Sequence, residues 1–327
     1  MCIRDSLSTA QLEAMAGELG SDCPFFIQSR PVLVTGRGER LTPLTMPSTL
    51  AKINLGLRIL RRRPDGYHDI ESCMLPIGWA DQLMVEIAAE AAEDAYEIAG
   101  LASQLPIERN LIYKAVQLLR ARHPEIPPLR LKLEKHIPTE AGLGGGSADA
   151  AYTLLAINEL CRLALSTAEL ETLAGELGSD CPFFIQSRPV LVTGRGERLT
   201  PLTMPSALHG KWLLVVKPPI GMSTAEAYRQ VTRHPEAEDK LAALLEQPLG
   251  QWRELIVNDF ESVVFAHYPE LAALRDTLYR HGALYAAMSG SGTALYGIFA
   301  DNPLSSVSLS PLSPHLADLP VWLERLS

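Results

Sequence analysis

The chain lacks the features that would mark it for a membrane, for nucleic acid or for an oxidising compartment. None of its apolar runs approaches the ~20 residues a membrane-spanning helix needs. Basic residues are outnumbered, with 29 Lys and Arg against 38 Asp and Glu, for a formal net charge of −9. A nucleic-acid binder needs a basic face to displace counterions from phosphates, so nucleic acid is not an expected partner. An anionic nucleotide remains possible, because backbone N–H groups and a few local cations suffice to hold one. The five cysteines (Cys2, Cys23, Cys73, Cys161 and Cys181) show no C-x-x-C spacing. Neither a zinc site nor a disulfide framework is expected. The first residues, MCIRDS, carry no apolar stretch of the kind a secretory leader has, and the expectation is a cytoplasmic protein.

The chain has 327 residues, 47% hydrophobic and 20% charged, enough for one large or two ordinary domains around a proper core. Residues Leu7–Ser48 recur as Leu165–Ser206, 158 positions later. Of these 42 paired positions only three differ: Gln11 against Glu169, Ala14 against Thr172 and Met15 against Leu173. One near-identical copy is unlike a solenoid, whose several diverged units stack on one another. The second copy follows directly from a glycine loop and its helix, so Leu165–Ser206 is read as the native segment and residues 1–48 as an extraneous duplicate. The duplicate carries Asp22 as an echo of Asp180, without a glycine loop before it.

Further along, Thr49–Leu60 reads as a strand, Arg61–Gly66 as a charged turn, and Tyr67–Ile77 and Gln82–Ile87 as two more strands. Asn110–Arg122 is a helix. Leu129–Ile137 alternates at Leu129, Leu131 and Leu133 and predicts a half-buried strand. Ser147 is placed to cap a helix reaching about Cys161, with Ala148, Ala151 and Leu155 on one face. Ser166-Thr167-Ala168-Glu169 is a capping box opening a second helix that Gly178 ends. Val190–Thr193 and Arg198–Leu202 form a hairpin around Gly194-Arg195-Gly196. The pattern resets around Met204–Lys211, giving one domain over 49–206 and a second over 207–300. In the second, Trp212–Lys217 is a strand, Ser223–Glu226 another capping box, and helices are expected near 236–247, 251–266 and 269–281. Strand, turn and strand follow over 284–300, and residues 301–327 form a Ser- and Pro-rich tail.

A strand, then Gly142-Leu143-Gly144-Gly145-Gly146-Ser147, then a helix start is an arrangement suited to phosphate. Glycines let the backbone approach an anion, and N–H groups of the first helical turn point at it. The alternative is a tight turn between packed elements. The loop lacks the Gly-Lys-Ser/Thr of a Walker loop, lacks the acidic residue that closes a dinucleotide fold, and enters a helix, unlike the loop of protein kinases.

The segment Pro138-Thr139-Glu140-Ala141-Gly142-Leu143-Gly144-Gly145-Gly146-Ser147-Ala148 resembles the ATP loop of the GHMP kinases, the galactose, homoserine, mevalonate and phosphomevalonate kinases. Ala51-Lys52-Ile53-Asn54-Leu55, Arg63–His68, Leu177–Phe184 and Ser289-Gly290-Ser291-Gly292-Thr293 extend the likeness from Ala51 to about Ala300. The Asp65-Gly66-Tyr67-His68 segment and the Lys52-x-Asn54 start narrow it to the branch that acts on a diphosphocytidyl polyol of isoprenoid-precursor synthesis. The resemblance implies an α/β (α+β) two-domain fold with its active site in the interdomain cleft. It implies ATP and Mg²⁺ as cofactors and a small cytidine diphosphate derivative as substrate.

Its implied catalytic residues are Asp180, facing the substrate hydroxyl, and Lys52, neutralising charge near the γ-phosphate. Taken alone, Asp180 could instead satisfy turn N–H groups after Gly178, and Lys52 could snorkel to the surface. Asn54 would hydrogen-bond the substrate. Tyr67 would stack on the cytosine, His68 would bond its edge, and Tyr228 would close its other face. Either tyrosine could instead be a half-buried core ring. Thr224 would touch the polyol or its phosphate, and Ser289–Thr293 would close the phosphate site. For Mg²⁺, the sequence does not choose between Ser147 and an acidic residue, and nothing in it fixes an oligomeric state. The alternatives kept open are another GHMP kinase, acting on a sugar or amino alcohol, and a catalytically silent nucleotide sensor.

Overall fold

A computed structural model describes residues 32–35, 40–43, 48–88, 90–101, 106–231, 240–303 and 319–326. Its strands are β1 (Val32–Thr35), β2 (Arg40–Pro43), β3 (Ser48–Arg62), β4 (His68–Ile87), β5 (Ala95–Gly100), β6 (Leu129–Lys135), β7 (Val190–Gly194), β8 (Arg198–Pro201), β9 (Trp212–Val216), β10 (Tyr285–Met288), β11 (Leu295–Phe299) and β12 (Val321–Arg325). Its helices are α1 (Leu111–Arg122), α2 (Gly145–Leu160), α3 (Thr167–Leu177), α4 (Cys181–Gln186), α5 (Thr224–Gln230), α6 (Leu241–Leu245), α7 (Trp252–Leu255), α8 (Phe260–His267) and α9 (Pro269–Arg280). Helices and sheets mix along the chain, the α/β (α+β) class expected.

The long strand β4 is the spine of a six-stranded sheet. It pairs antiparallel with β3 over most of its length, with β6 over Gln82–Ile87 and with β7 over Ile70–Met74. What the sequence divides into Tyr67–Ile77 and Gln82–Ile87 is therefore one strand. Gly78 does not interrupt it; its N–H donates to Glu324 Oε2 at 2.7 Å. The sheet is completed by β5 beside β6 and by β8 beside β7. A second sheet has the order β10-β11-β9-β12, so the tail residues Val321–Arg325 join it at the β9 edge. The hairpin β1–β2 is a two-stranded sheet of its own. Asp22, Cys2 and Cys23 lie outside the described residues, as do 236–239 of the helix expected near 236–247 and 304–318 and 327 of the tail.

Period-two alternation in β3 decides what faces what. Ala51, Ile53 and Leu55 are fully buried in a core shared with Leu213, Val215, Tyr285 and Tyr296 of the second sheet. Lys52 and Asn54, one residue out of phase, point to the opposite face. Helix α2 packs against the six-stranded sheet and buries Ala148, Asp149, Ala150, Ala151, Thr153, Leu154, Ala156 and Ile157. That is most of its circumference, where the sequence suggested one apolar face; Leu155 is only half-buried.

Two further expectations change and one holds. Helix α2 begins at Gly145, with Gly144 at its N-cap in the left-handed conformation (φ 73°) and no side-chain cap, so Ser147 is inside the helix. The capping box of Ser166 and Glu169 does form at the start of α3. The helix expected over 251–266 is two pieces, α7 and α8, because the chain between them straps onto β3. There Leu57 N–H donates to Val257 O (2.9 Å), Asp259 N–H to Leu57 O (2.8 Å), and Ile59 N–H to Asp259 Oδ2 (2.6 Å).

Candidate active site

The glycine loop is held from both sides. Lys52 N–H donates to Leu143 O at 2.9 Å, and Ala294 N–H to Ala141 O at 3.0 Å. Gly142 and Gly144 take φ of 72° and 73°, the region where a side chain is strained. A Cβ on Gly142 would overlap the carbonyl of Ser289, and one on Gly144 would stand 2.7 Å from the Phe184 ring. Since Gly144 offers no cap, the first N–H groups of α2 keep their hydrogen-bonding capacity for whatever lies in front of them.

In front lies a cleft of about 1240 Å³. Pro138, Thr139, Glu140, Ala141, Gly142, Leu143, Gly144, Gly145, Gly146 and Ser147 all line it. Ala148 does not; it is fully buried on the inner side of α2. Lys52, Asn54, Tyr67, His68, Asp180, Thr224 and Tyr228 line the same space, together with Gly290, Ser291 and Gly292.

Lys52 does not snorkel: it is only 2% exposed. Its ammonium donates to Asn54 Oδ1 at 2.5 Å and to Gly142 O at 2.7 Å, and lies 3.5 Å from Asp180 Oδ2. Burial lowers its pKa from the ordinary lysine value, and the Asp180 carboxylate opposes that shift. Asp180 stands at the N-cap of α4, whose Phe183 and Phe184 are buried, yet its side chain makes no capping bond. The carboxylate is thus left facing the lysine, and its side chain remains 35% exposed toward the cleft. A buried cation beside a part-exposed carboxylate, next to uncapped helix N–H groups, can neutralise a transferring phosphoryl group and hold a hydroxyl for attack.

Asn54 is fixed by Ser72, whose hydroxyl accepts from Asn54 Nδ2 (2.8 Å) and donates to Gly56 O (2.6 Å). Ser289 reaches over from the second sheet, its hydroxyl accepting from Asn54 N–H (3.2 Å) and donating to Gly142 O (2.9 Å). Thr224, the first residue of α5, shares a 2.9 Å hydrogen bond with Ser291.

Tyr67 and Tyr228, expected on either face of a cytosine, both line the cleft. His68 stacks on Tyr228, with centroids 5.4 Å apart and planes at 18°, and Tyr228 meets Phe260 edge-on. Tyr67 turns outward, 58% exposed, beneath the Arg195 guanidinium at 5.0 Å. The turn 63–67 directs it there: Arg63 N–H bonds Tyr67 O at 2.8 Å, so consecutive residues leave the hairpin in opposite directions.

Comparison with known proteins decides the family. A model of the GHMP kinases N terminal domain matches residues 110–188, and one of the GHMP kinases C terminal domain matches 241–306. A 4-diphosphocytidyl-2-C-methyl-D-erythritol kinase from Parabacteroides distasonis is 46% identical over 250 residues, covering 76% of this chain and 89% of that one. The chain belongs to the GHMP kinases. A Porphyromonas gingivalis relative of the same name is 43% identical, over 77% of this chain and 91% of its own. A crystal structure of 4-(cytidine 5'-diphospho)-2C-methyl-D-erythritol kinase superposes with a TM-score of 0.71 at 32% identity, covering 85% of this chain and 98% of that one.

As a GHMP kinase, the protein is an ATP-dependent kinase of small molecules. Among the described residues no helix is long and apolar enough to cross a membrane, and no three His, Cys, Asp or Glu gather as a metal site. Sequence reading missed Ser72, Arg195 and Asn258. Asn258 Nδ2 holds the carbonyls of Met288 and Gly290, each at 2.8 Å, and so shapes the loop over Gly142. The only signal for it was an Asn-Asp pair inside an otherwise helical pattern.

Proposed function

We propose that the protein transfers the γ-phosphoryl group of ATP to the 2-hydroxyl of 4-diphosphocytidyl-2-C-methyl-D-erythritol, in isoprenoid-precursor synthesis outside the mevalonate route. The names of its relatives supply the substrate, and a cytoplasmic location is part of the same reading. The observation that carries the chemistry is the Lys52 ammonium 3.5 Å from Asp180, bonded to the glycine loop at Gly142.

The phosphates lie on the N–H groups of Gly145, Gly146 and Ser147 at the start of α2. Asp180 accepts the proton of the 2-hydroxyl as its oxygen bonds to the γ-phosphorus and the β–γ bridging bond breaks, releasing ADP. Lys52 balances the charge that develops on the transferred group. Ser147 and Asp180, which line the cleft, would hold Mg²⁺, a cation that needs few protein ligands, together with the phosphates of ATP. When bound, it neutralises phosphate charge. The cytosine binds among Tyr67, His68 and Tyr228, which all line the cleft, while Asn54 bonds the substrate and Thr224 meets the polyol.

The test is ADP release from Mg-ATP with the diphosphocytidyl acceptor, beside galactose, homoserine and mevalonate, with ³¹P NMR of the product. Turnover with the diphosphocytidyl acceptor alone, giving a new phosphomonoester at the 2-position, is expected. Turnover with a sugar or amino alcohol instead, or ATP binding without any turnover, would refute it.

A further inference from the structure

Strand β6 turns Leu129, Leu131 and Leu133 inward, and the same alternation carries Lys135 inward after them. There it meets two acids. Lys135, Asp81 and Asp149 are 4%, 0% and 2% exposed. Buried ion clusters of this kind stabilise a fold no better than well-packed apolar side chains do, so their retention calls for another reason.

All four carboxylate oxygens are engaged. The Lys135 ammonium donates to Asp81 Oδ2 and, at 2.7 Å, to Asp149 Oδ2. Asp81 Oδ1 accepts the N–H groups of His136 (2.6 Å) and Ile137 (2.7 Å). Thr49 donates its hydroxyl to Asp149 Oδ1 at 2.7 Å. Burial works against the Lys135 charge, and the two carboxylates outweigh it, so its pKa is raised. Burial pushes Asp149 up to about 6, against the pull of Lys135.

These partners have one thing in common. His136 and Ile137 lead directly into the glycine loop, and Asp149 lies in the first turns of α2, just after it. One ammonium therefore ties both ends of the loop to β3, β4 and β6. It also lies beside the helix start, where Lys135 helps to line the cleft: Lys135 Nζ is 3.2 Å from where a Cβ on Gly145 would stand. Between these anchors the backbone takes positive φ at Glu140, Gly142 and Gly144, a shape that needs support from outside to present its N–H groups in a fixed array.

We propose that Lys135 is a positioning residue for ATP, acting through Asp81 and Asp149 to hold the two ends of the phosphate loop in place. The proposal rests on the reading of that loop as the ATP site. It concerns the nucleotide half of the cleft and not the acceptor half.

The experiment measures dissociation constants for Mg-ATP and for the diphosphocytidyl acceptor separately, by titration calorimetry on the full chain. Lys135→Met is expected to weaken Mg-ATP by about tenfold, the loss of a charged hydrogen-bond pair, and to leave the acceptor almost unchanged. Lys135→Arg should recover part of the loss. Thr49→Val, which removes a single hydrogen bond from an uncharged donor and conserves shape, should weaken Mg-ATP by about threefold. A folded Lys135→Met variant with wild-type ATP affinity would overturn the proposal, as would equal weakening of both ligands, which marks a general loss of structure. Should Lys135→Met not fold, unchanged ATP affinity in Thr49→Val overturns it as well. Failure of the wild-type chain to bind Mg-ATP would instead defeat the assignment of the loop.

Discussion

The same 42-residue segment occurs twice, and the two copies differ in what surrounds them. In the first, Val32 pairs with Pro43 and Thr35 with Arg40; in the second, Val190 pairs with Pro201 and Thr193 with Arg198. With the offset of 158 these registers are identical. Hairpin register is thus a local property, set by the glycine turn and its flanking pattern. Beyond that the copies part. The second hairpin adds to the six-stranded sheet through β7 against β4, while among the described residues the first is a separate two-stranded sheet. The second copy's aspartate meets Lys52, which lies on a strand far away in the chain. A repeated sequence can repeat its turn, but not a site whose other half comes from elsewhere.

This comparison can be broken at the lysine first. Lys52→Met should lower kcat by about 10²- to 10³-fold, as for loss of a group stabilising transition-state charge. An intact first copy should not soften that loss, and a steady-state assay with saturating substrates reads it. Next comes the hairpin core. Val192 is fully buried, so Val192→Ala should destabilise the protein by about 2 kcal/mol. The matching Val34→Ala should change stability by less than about 0.5 kcal/mol. Equal losses in denaturant unfolding would mean that the copies share one environment.

A smaller effect is expected from pH. Burial lowers the Lys52 pKa, with Asp180 resisting, so activity should fall as pH rises through a value below that of a free lysine. In Lys52→Arg that alkaline limb should vanish from the kcat profile, because a guanidinium stays charged. Smallest of all, a chain beginning at Pro47 should keep the full kcat/KM. A marked drop would show that the first copy contributes to the working enzyme.

Much of this site was legible because its signals are local. The glycine loop, the Ser166–Glu169 capping box and the hairpin from Val190 to Pro201 each announce themselves within a dozen residues. The strand β5 did not, since four of its six residues are exposed and only Tyr96 and Ile98 mark its inward side. Nor did the break between α7 and α8, which depends on hydrogen bonds to Leu57 and Ile59 some 200 positions away. The exposure of Tyr67 was not legible, because a turn decides it and Arg195, on another hairpin, lies over the ring. Lys135 was legible in principle: it continues the inward register of Leu129, Leu131 and Leu133, and a charge at an inward position asks for partners.

The central claim is that catalysis uses the second copy's aspartate with Lys52. Its most direct test is turnover of Asp180→Asn and Asp22→Asn, assayed side by side with Mg-ATP and the diphosphocytidyl acceptor. Near-complete loss in Asp180→Asn with wild-type turnover in Asp22→Asn is the predicted result. Substantial activity left in Asp180→Asn, or a loss in Asp22→Asn, would contradict the account.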